Sequence, residues 1–382
     1  MTRAYLDLSG LAPVDRRVVA AMMAALEDGL GNPSALHEPG RRARAALDEA
    51  RARVARLVGG RPDGVIFTSG ATEAINLAVL GVAARAAGRH VVTSAVEHIA
   101  VLNACRALIK RGWDVTLVPV GRDGRIVPEA VASALRTDTA LVSVGAANGE
   151  IGTLQPVREI GALVRRRGVP LHVDGVHAVG RVPLSVTDDA IDLLSVSSND
   201  LHGPPGTGVL WVGRDVKLAP VLLGGGQENG YRSGTQNLPG IVGMGVAADI
   251  ACVERDREVR RIERLRDRLL AGLRAQVPGV RLTGPEPPAR LPHHASVVIG
   301  GVKAEAVLLE LDLHGIAASS GSACATLTGE PSHVLRAIGL PSEDAEASLV
   351  FTLGRWTTGA EIDHALAAVA TAVERLRRLA GR

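Results

Sequence analysis

Lysine is nearly missing from this chain. Among 382 residues and 43 lysines and arginines, it stands only at positions 110, 217 and 303. Chemistry that needs a side-chain amine as nucleophile therefore has few places to occur. Cysteine is as scarce, with three residues and no paired spacing. That argues against a disulfide framework or a zinc site and points to a reducing cytoplasm. No basic run is interleaved with aromatics, which speaks against a nucleic-acid surface. The arginine clusters at 165–167 and 375–378 read as solvated helix ends. No apolar run approaches the ~20 residues that span a bilayer. The first eight residues lack the apolar core of a signal peptide. Neither a membrane segment nor a nucleic-acid partner is expected.

What is present is ordinary for a soluble globular protein: 46% apolar and 22% charged residues, with a formal charge of +3. The length allows one large domain and a smaller one, each with its own core. Helical periodicity dominates from Pro13 to about Leu57. Short β-branched runs then alternate with helix-type spacing. The strands are expected at 65–68, 90–93, 115–118, 140–144, 171–174, 191–195 and 208–212, with intervening helices such as 72–87 and 99–111. Such alternation predicts an α/β fold with a mainly parallel sheet covered on both faces, and ligands at the carboxyl ends of its strands. A long charged helix over about 240–277 leads to a Pro-rich connection at 282–292. The pattern then restarts with strands at 296–299 and 348–352. This predicts a large domain over 16–257 and a smaller α+β domain made of 258–382 joined by 1–15.

Several segments carry chemistry. Thr68-Ser69-Gly70-Ala71-Thr72-Glu73 sets small residues between a strand and a helix start. There exposed N–H groups and the helix dipole suit a phosphate, although capping alone also uses such residues. His98 follows a strand end, a place where a lone histidine is ordinarily structural. Asp174 ends a buried strand, where a carboxylate needs a cationic partner or donors. Residues 224–237 form a long polar, glycine-rich loop. Cys324 lies in a Gly/Ser/Ala/Thr-rich stretch that leaves its thiol accessible. Arg355 has the planar fork suited to a carboxylate.

In their order and wording these segments resemble the class V aminotransferases, cysteine desulfurases in particular, from Tyr5 to about Asp363. The resemblance implies the fold type I architecture of pyridoxal phosphate (PLP) enzymes, with a seven-stranded sheet in the large domain. It implies a phosphate cup at Ala71 and Thr72, His98 stacked on the cofactor ring, and Asp174 paired with the pyridine nitrogen. Ser197 and Asn199 fall in the cofactor segment, Asn148 and Arg355 at the substrate, and Cys324 at the cysteine that receives sulfur as a persulfide. Thr235 would reach the cofactor phosphate of a neighbouring subunit, which implies a homodimer with shared active sites.

The departures from the family gather around the cofactor. Residues 7–13 read Asp-Leu-Ser-Gly-Leu-Ala-Pro where the family has Asp-Asn-x-Ala-Thr-Thr-Pro. Gly149 replaces a cofactor-binding Asn, and His177 replaces a Gln that touches the ring. Asn199-Asp200 replace His-Lys, and His202 stands where Tyr is common. Asp200 cannot form an imine, so PLP would be held non-covalently. The lysine's role in proton transfer, worth ~10²–10⁴-fold in such general catalysis, would pass to Asp200, His202 or His177. Three readings follow. The first is a desulfurase-like protein taking sulfur from L-cysteine for iron–sulfur cluster or thio-cofactor assembly. The second is an enzyme using unanchored PLP or pyridoxamine phosphate on another amino or keto substrate. The third is a non-enzymatic scaffold that docks an iron–sulfur assembly or sulfur-acceptor protein, with Cys324 carrying persulfide or ligating a cluster.

Overall fold

The computed structural model describes residues 3–320 and 331–381. The larger sheet is built from β2 (Val65–Thr68), β3 (His90–Ser94), β4 (Asp114–Val118), β5 (Thr139–Gly145), β6 (Leu171–Asp174), β7 (Leu193–Ser197) and β8 (Gly208–Val212); the short β1 (Ala4–Tyr5) precedes them in the chain. Its order is β2-β8-β7-β6-β5-β3-β4, parallel except for β8, which runs antiparallel to both neighbours. The predicted α/β fold with seven strands is thus what forms. The strands at its centre are buried along their whole length, as in β3, β6 and β8. Helices cover both faces, so these strands are buried on both sides, and β8 reads as a continuous apolar run without alternation.

The helix Glu38–Leu57 buries Gly40, Ala43, Leu47, Ala50 and Val54, a 3–4 spacing that lays one stripe on the core. It packs against the helix Leu238–Gln276. A Cβ on Gly245 would stand 2.8 Å from the Ala50 Cα, so the contact of these helices depends on a missing side chain. The long helix serves two cores. Ile241, Met244, Ala247 and Ala248 join the core of the large sheet, whereas Leu269, Leu270 and Leu273 join a second one.

That second core lies under β9 (Val280–Leu282), β10 (His294–Ile299), β11 (Ile316–Ala317), β12 (Ser319–Ser320) and β13 (Ser348–Thr352). Four of them form an antiparallel sheet in the order β12-β13-β10-β9, while β1 pairs in parallel with β11. Ala4 and Leu6 sit in this core with residues 269–373. The stretch 282–292 is more than a connection. Arg290 bridges to Thr153, and Leu291 N donates to Gly152 O at 2.7 Å. Arg290 is 2% exposed, its guanidinium satisfied by the Thr283 and Pro285 carbonyls, Ser296 Oγ and His294 Nδ1. Prolines mark this stretch as irregular, but the buried Arg290 guanidinium folds it onto its own carbonyls, and backbone hydrogen bonds to Gly152 and Leu154 hold it against the loop beyond β5.

Candidate active site

The carboxyl ends of β3, β5 and β6 open onto one cavity of about 190 Å³, several times the ~30 Å³ that a water occupies. β6 ends at Asp174, whose Oδ1 accepts from Val176 N at 3.1 Å. Beyond β3 the chain turns through Glu97 to His98, the N-cap of the helix Ile99–Ile109. His98 Nδ1 accepts from Ala100 N at 3.1 Å. Burial lowers its pKa, so the ring is a neutral imidazole with its proton on Nε2. Beyond β5, Asn148 secures the loop. Its amide donates to Val96 O at 2.8 Å, and its Oδ1 accepts from Glu150 N at 2.8 Å and Ile151 N at 3.0 Å. Asn148 therefore spends its amide on the loop while lining the cavity.

Four carboxyl groups line this space: Asp7, Glu97, Glu150 and Asp174. Burial is the first cause raising the pKa of each, to about 8 at Glu97 and about 7 at Glu150. No lysine or arginine lines the cavity among the described residues. Asp174 has no ion-pair partner among the described residues, although it is 8% exposed. A buried carboxylate facing a space without cations suits a ligand that brings its own positive charge. A protonated pyridine nitrogen beside Asp174, with the His98 imidazole against the ring, fits this donor set.

The phosphate-type segment lies further along the same sheet edge. Thr68 pairs with Gly208, and Gly208 with Ser197, so Ser197 and the Gly70-Ala71-Thr72 turn share one end of the sheet. A Cβ on Gly208 would meet the Gly70 Cα at 2.6 Å, and only glycine allows β8 to pass the turn. Ala71 and Thr72 open the helix Ala71–Ala83, where first-turn N–H groups lack intrahelical partners. Thr235 is exposed on its loop. That loop is pinned from below by Glu228, 5% exposed, which is paired with Arg51 at 2.9 Å and accepts from Phe67 N at 2.9 Å.

The structure sends three other expected residues elsewhere. Asp200, His202 and Arg355 border a second, smaller cavity of about 70 Å³. Asp200 is 6% exposed; its Oδ1 accepts from Arg181 Nη1 at 3.0 Å and lies 3.5 Å from His177 Nδ1. Burial would raise its pKa, but His177 and Arg181 prevail and hold it below the usual carboxylate value. His202 Nδ1 donates to Pro13 O at 2.9 Å, and its ring meets Trp356 edge-on. The Arg355 guanidinium pairs with Glu254 and lies 3.5 Å from Asp15. Asn199 Oδ1 accepts from Ala12 N at 3.1 Å and so ties the N-terminal segment down. Cys324 lies outside the described residues. On either side of its stretch, Ser319, Ser320 and Val334 line the larger cavity. Ser332 Oγ donates to Glu150, and the His333 ring bonds Glu97 O at 2.9 Å.

Sequence reasoning passed over Glu97, Glu150 and Arg181 as site residues. Glu97 was visible beside His98, and the pairing of Arg181 with Asp200 had no local signal. Nor did the motif show why Gly149 and His177 occur together: a Cβ on Gly149 would stand 2.4 Å from His177 Nε2.

A family model described as aminotransferase class V matches residues 4–364. The cysteine desulfurase IscS 1 of Archaeoglobus fulgidus is 43% identical over 98% of each chain. The cysteine desulfurase IscS of Dictyoglomus turgidum is 41% identical over 98% of this chain and 95% of that one. Among solved structures, a NifS-like protein superposes with a TM-score of 0.92 at 33% identity, covering 98% of this chain and all of its own.

Proposed function

The chain belongs to the class V aminotransferases, in the cysteine desulfurase family, and from that premise we propose that it moves sulfur from L-cysteine to a persulfide on Cys324, using PLP held without a covalent anchor. The sulfur would serve iron–sulfur cluster or thio-cofactor assembly. The observation that carries this reading is the Asp174 carboxylate, without an ion-pair partner among the described residues, in a cavity that these residues line with four carboxyl groups and no lysine or arginine.

Asp174 would hold the ring nitrogen of PLP, His98 its face, and Ala71, Thr72 and Ser197 its phosphate, with Thr235 contributed by a second copy in a homodimer. Bound there, PLP supplies an electron sink for the pair released at a substrate α-carbon. The protein's own groups do the rest. Glu97, with a pKa of about 8, stays largely protonated near neutrality and adds no second full charge beside Asp174. Ser332 and His333 tie the far end of the Cys324 stretch to Glu150 and to the Glu97 carbonyl. Cys324 is four residues beyond Ser320, within roughly 14 Å of extended chain from the cavity rim. Arg355, released from Glu254, would take the substrate carboxylate.

The test is a titration of purified protein with PLP, followed by borohydride and denaturation. PLP should bind, as the absorbance spectrum reports, yet separate from the denatured chain. A cofactor locked to the chain by borohydride would overturn the non-covalent reading, and absence of binding the whole. Sulfide release from L-cysteine should fall to background in Cys324→Ser; undiminished sulfide would end the persulfide role.

A further inference from the structure

Resting on the reading of the larger cavity as a PLP site, we propose that His177 is the proton-transfer group of this enzyme and that Asp200, clamped by Arg181, is its positioning residue. An imidazole–carboxylate pair thereby takes over proton handling from the missing lysine amine.

The geometry separates the two roles. His177 lines the larger cavity, whereas Asp200 lines the smaller one. The imidazole lines the larger cavity and lies close to the Asp200 carboxylate. Its Nδ1 is 3.5 Å from Asp200 Oδ1, and its Nε2 lies on the side of Gly149, itself a lining residue of the larger cavity. The ring has this place because position 149 has no side chain. A Cβ there would stand 2.4 Å from Nε2, 2.8 Å from Cδ2 and 2.9 Å from Cε1. Gly149, His177 and Asp200 are thus one arrangement: the first makes room for the imidazole, and the third orients it. Arg181 Nη1, 3.0 Å from the same Asp200 oxygen, fixes the carboxylate and keeps it ionised.

The other candidates are committed elsewhere. Asp200 has its Oδ1 shared by Arg181 and His177. His98 Nδ1 is occupied by Ala100 N. His202 donates to Pro13 O and borders only the smaller cavity. His177 Nδ1 is buried with no hydrogen-bond partner among the described residues, and the ionised Asp200 Oδ1 lies 3.5 Å away, which favours the tautomer with the proton on Nδ1 and the lone pair on Nε2. In the step itself the proton leaves the substrate α-carbon for Nε2. The bonding pair would stay on the carbon, where PLP when bound supplies the electron sink, and the new positive charge would lie beside Asp200. The proton returns by the reverse path.

The protein without PLP already reports the pairing. The charges reaching His177 come from His98, Glu150, Asp174, Asp200, His293 and His294, with Arg181 bonding its carbonyl. In ¹⁵N-histidine NMR of the PLP-free chain, neutral His177 should carry its proton on Nδ1. Asp200→Asn should abolish that preference. Gly149→Ala should displace the ring and have the same effect. His172, buried between Ser143 and Ser195, serves as the folding control and should be unchanged. With PLP and an amino acid present, solvent deuterium uptake at the α-carbon should fall ~10²-fold or more in His177→Gln while PLP still binds. A His177 resonance indifferent to both Asp200→Asn and Gly149→Ala, or deuterium uptake intact in His177→Gln, overturns the inference and leaves the proposed function standing. Failure of the wild-type chain to bind PLP overturns both.

Discussion

Glu97 shows how burial alone sets the behaviour of a residue. Its carboxyl is 3% exposed, takes a hydrogen bond from Ser94 Oγ and faces Asp174; desolvation raises its pKa from 4.5 to about 8. The folded chain therefore holds this proton more tightly than the unfolded chain does. Its contribution to stability is fully present below about 4.5 and is lost as pH rises towards 8, by at most about 1.4 kcal/mol per pH unit. Glu97→Gln removes the titration while keeping the shape. The melting temperature of the PLP-free variant, relative to wild type, should rise steadily between those two pH values and then level. A difference that stays flat across this range would show that Glu97 is ionised in the fold. At this scale the sequence marked Asp174, His98 and the loss of the lysine at 200. It could not show that Asp200 would find Arg181, because a guanidinium nineteen positions away has no periodic relation to it.

The elements that carry the site were legible wherever the pattern was local. Strand ends, the turn at 68–72 and the start of the helix at 71 follow from β-branched runs broken by glycine and small polar residues. The loop at 224–237 was recognisable by its residues, but its anchoring is tertiary. Glu228, at a positive φ of 49°, reaches under the loop to Arg51 on the helix Glu38–Leu57 and to the backbone of β2. Removing one partner of such a buried pair leaves an uncompensated charge. Glu228→Ala should therefore cost about 3–5 kcal/mol in urea unfolding. In a homodimer that uses Thr235 it should also weaken PLP binding. A loss below about 1 kcal/mol would mean that Arg51 finds water, as an exposed pair would allow.

Across the whole molecule, the two cores are joined by the helix Leu238–Gln276 and by the N-terminal segment, which passes the cavity at Asp7 and enters the second core at Leu6. Leu6 is fully buried, and Leu6 O accepts from Thr352 N at 2.8 Å. Leu6→Ala should destabilise the chain by about 2–5 kcal/mol, the usual cost of a cavity at a site that cannot collapse. Denaturant unfolding followed by a probe in the second core would register it. A change within 0.5 kcal/mol, as for a surface substitution, would show that the segment is not held there.

The sequence by itself determined the alternation that builds a parallel sheet, the strand ends where a ligand must sit, and the absence of an amine at position 200. Each follows from local periodicity or from the chemistry of a single side chain. Tertiary structure alone decided that Gly149 empties a space filled by His177, that His177 turns towards Asp200, and that no cation lines the larger cavity among the described residues. Steric exclusion and Coulomb attraction depend on distances between residues far apart in the chain, and folding sets those distances.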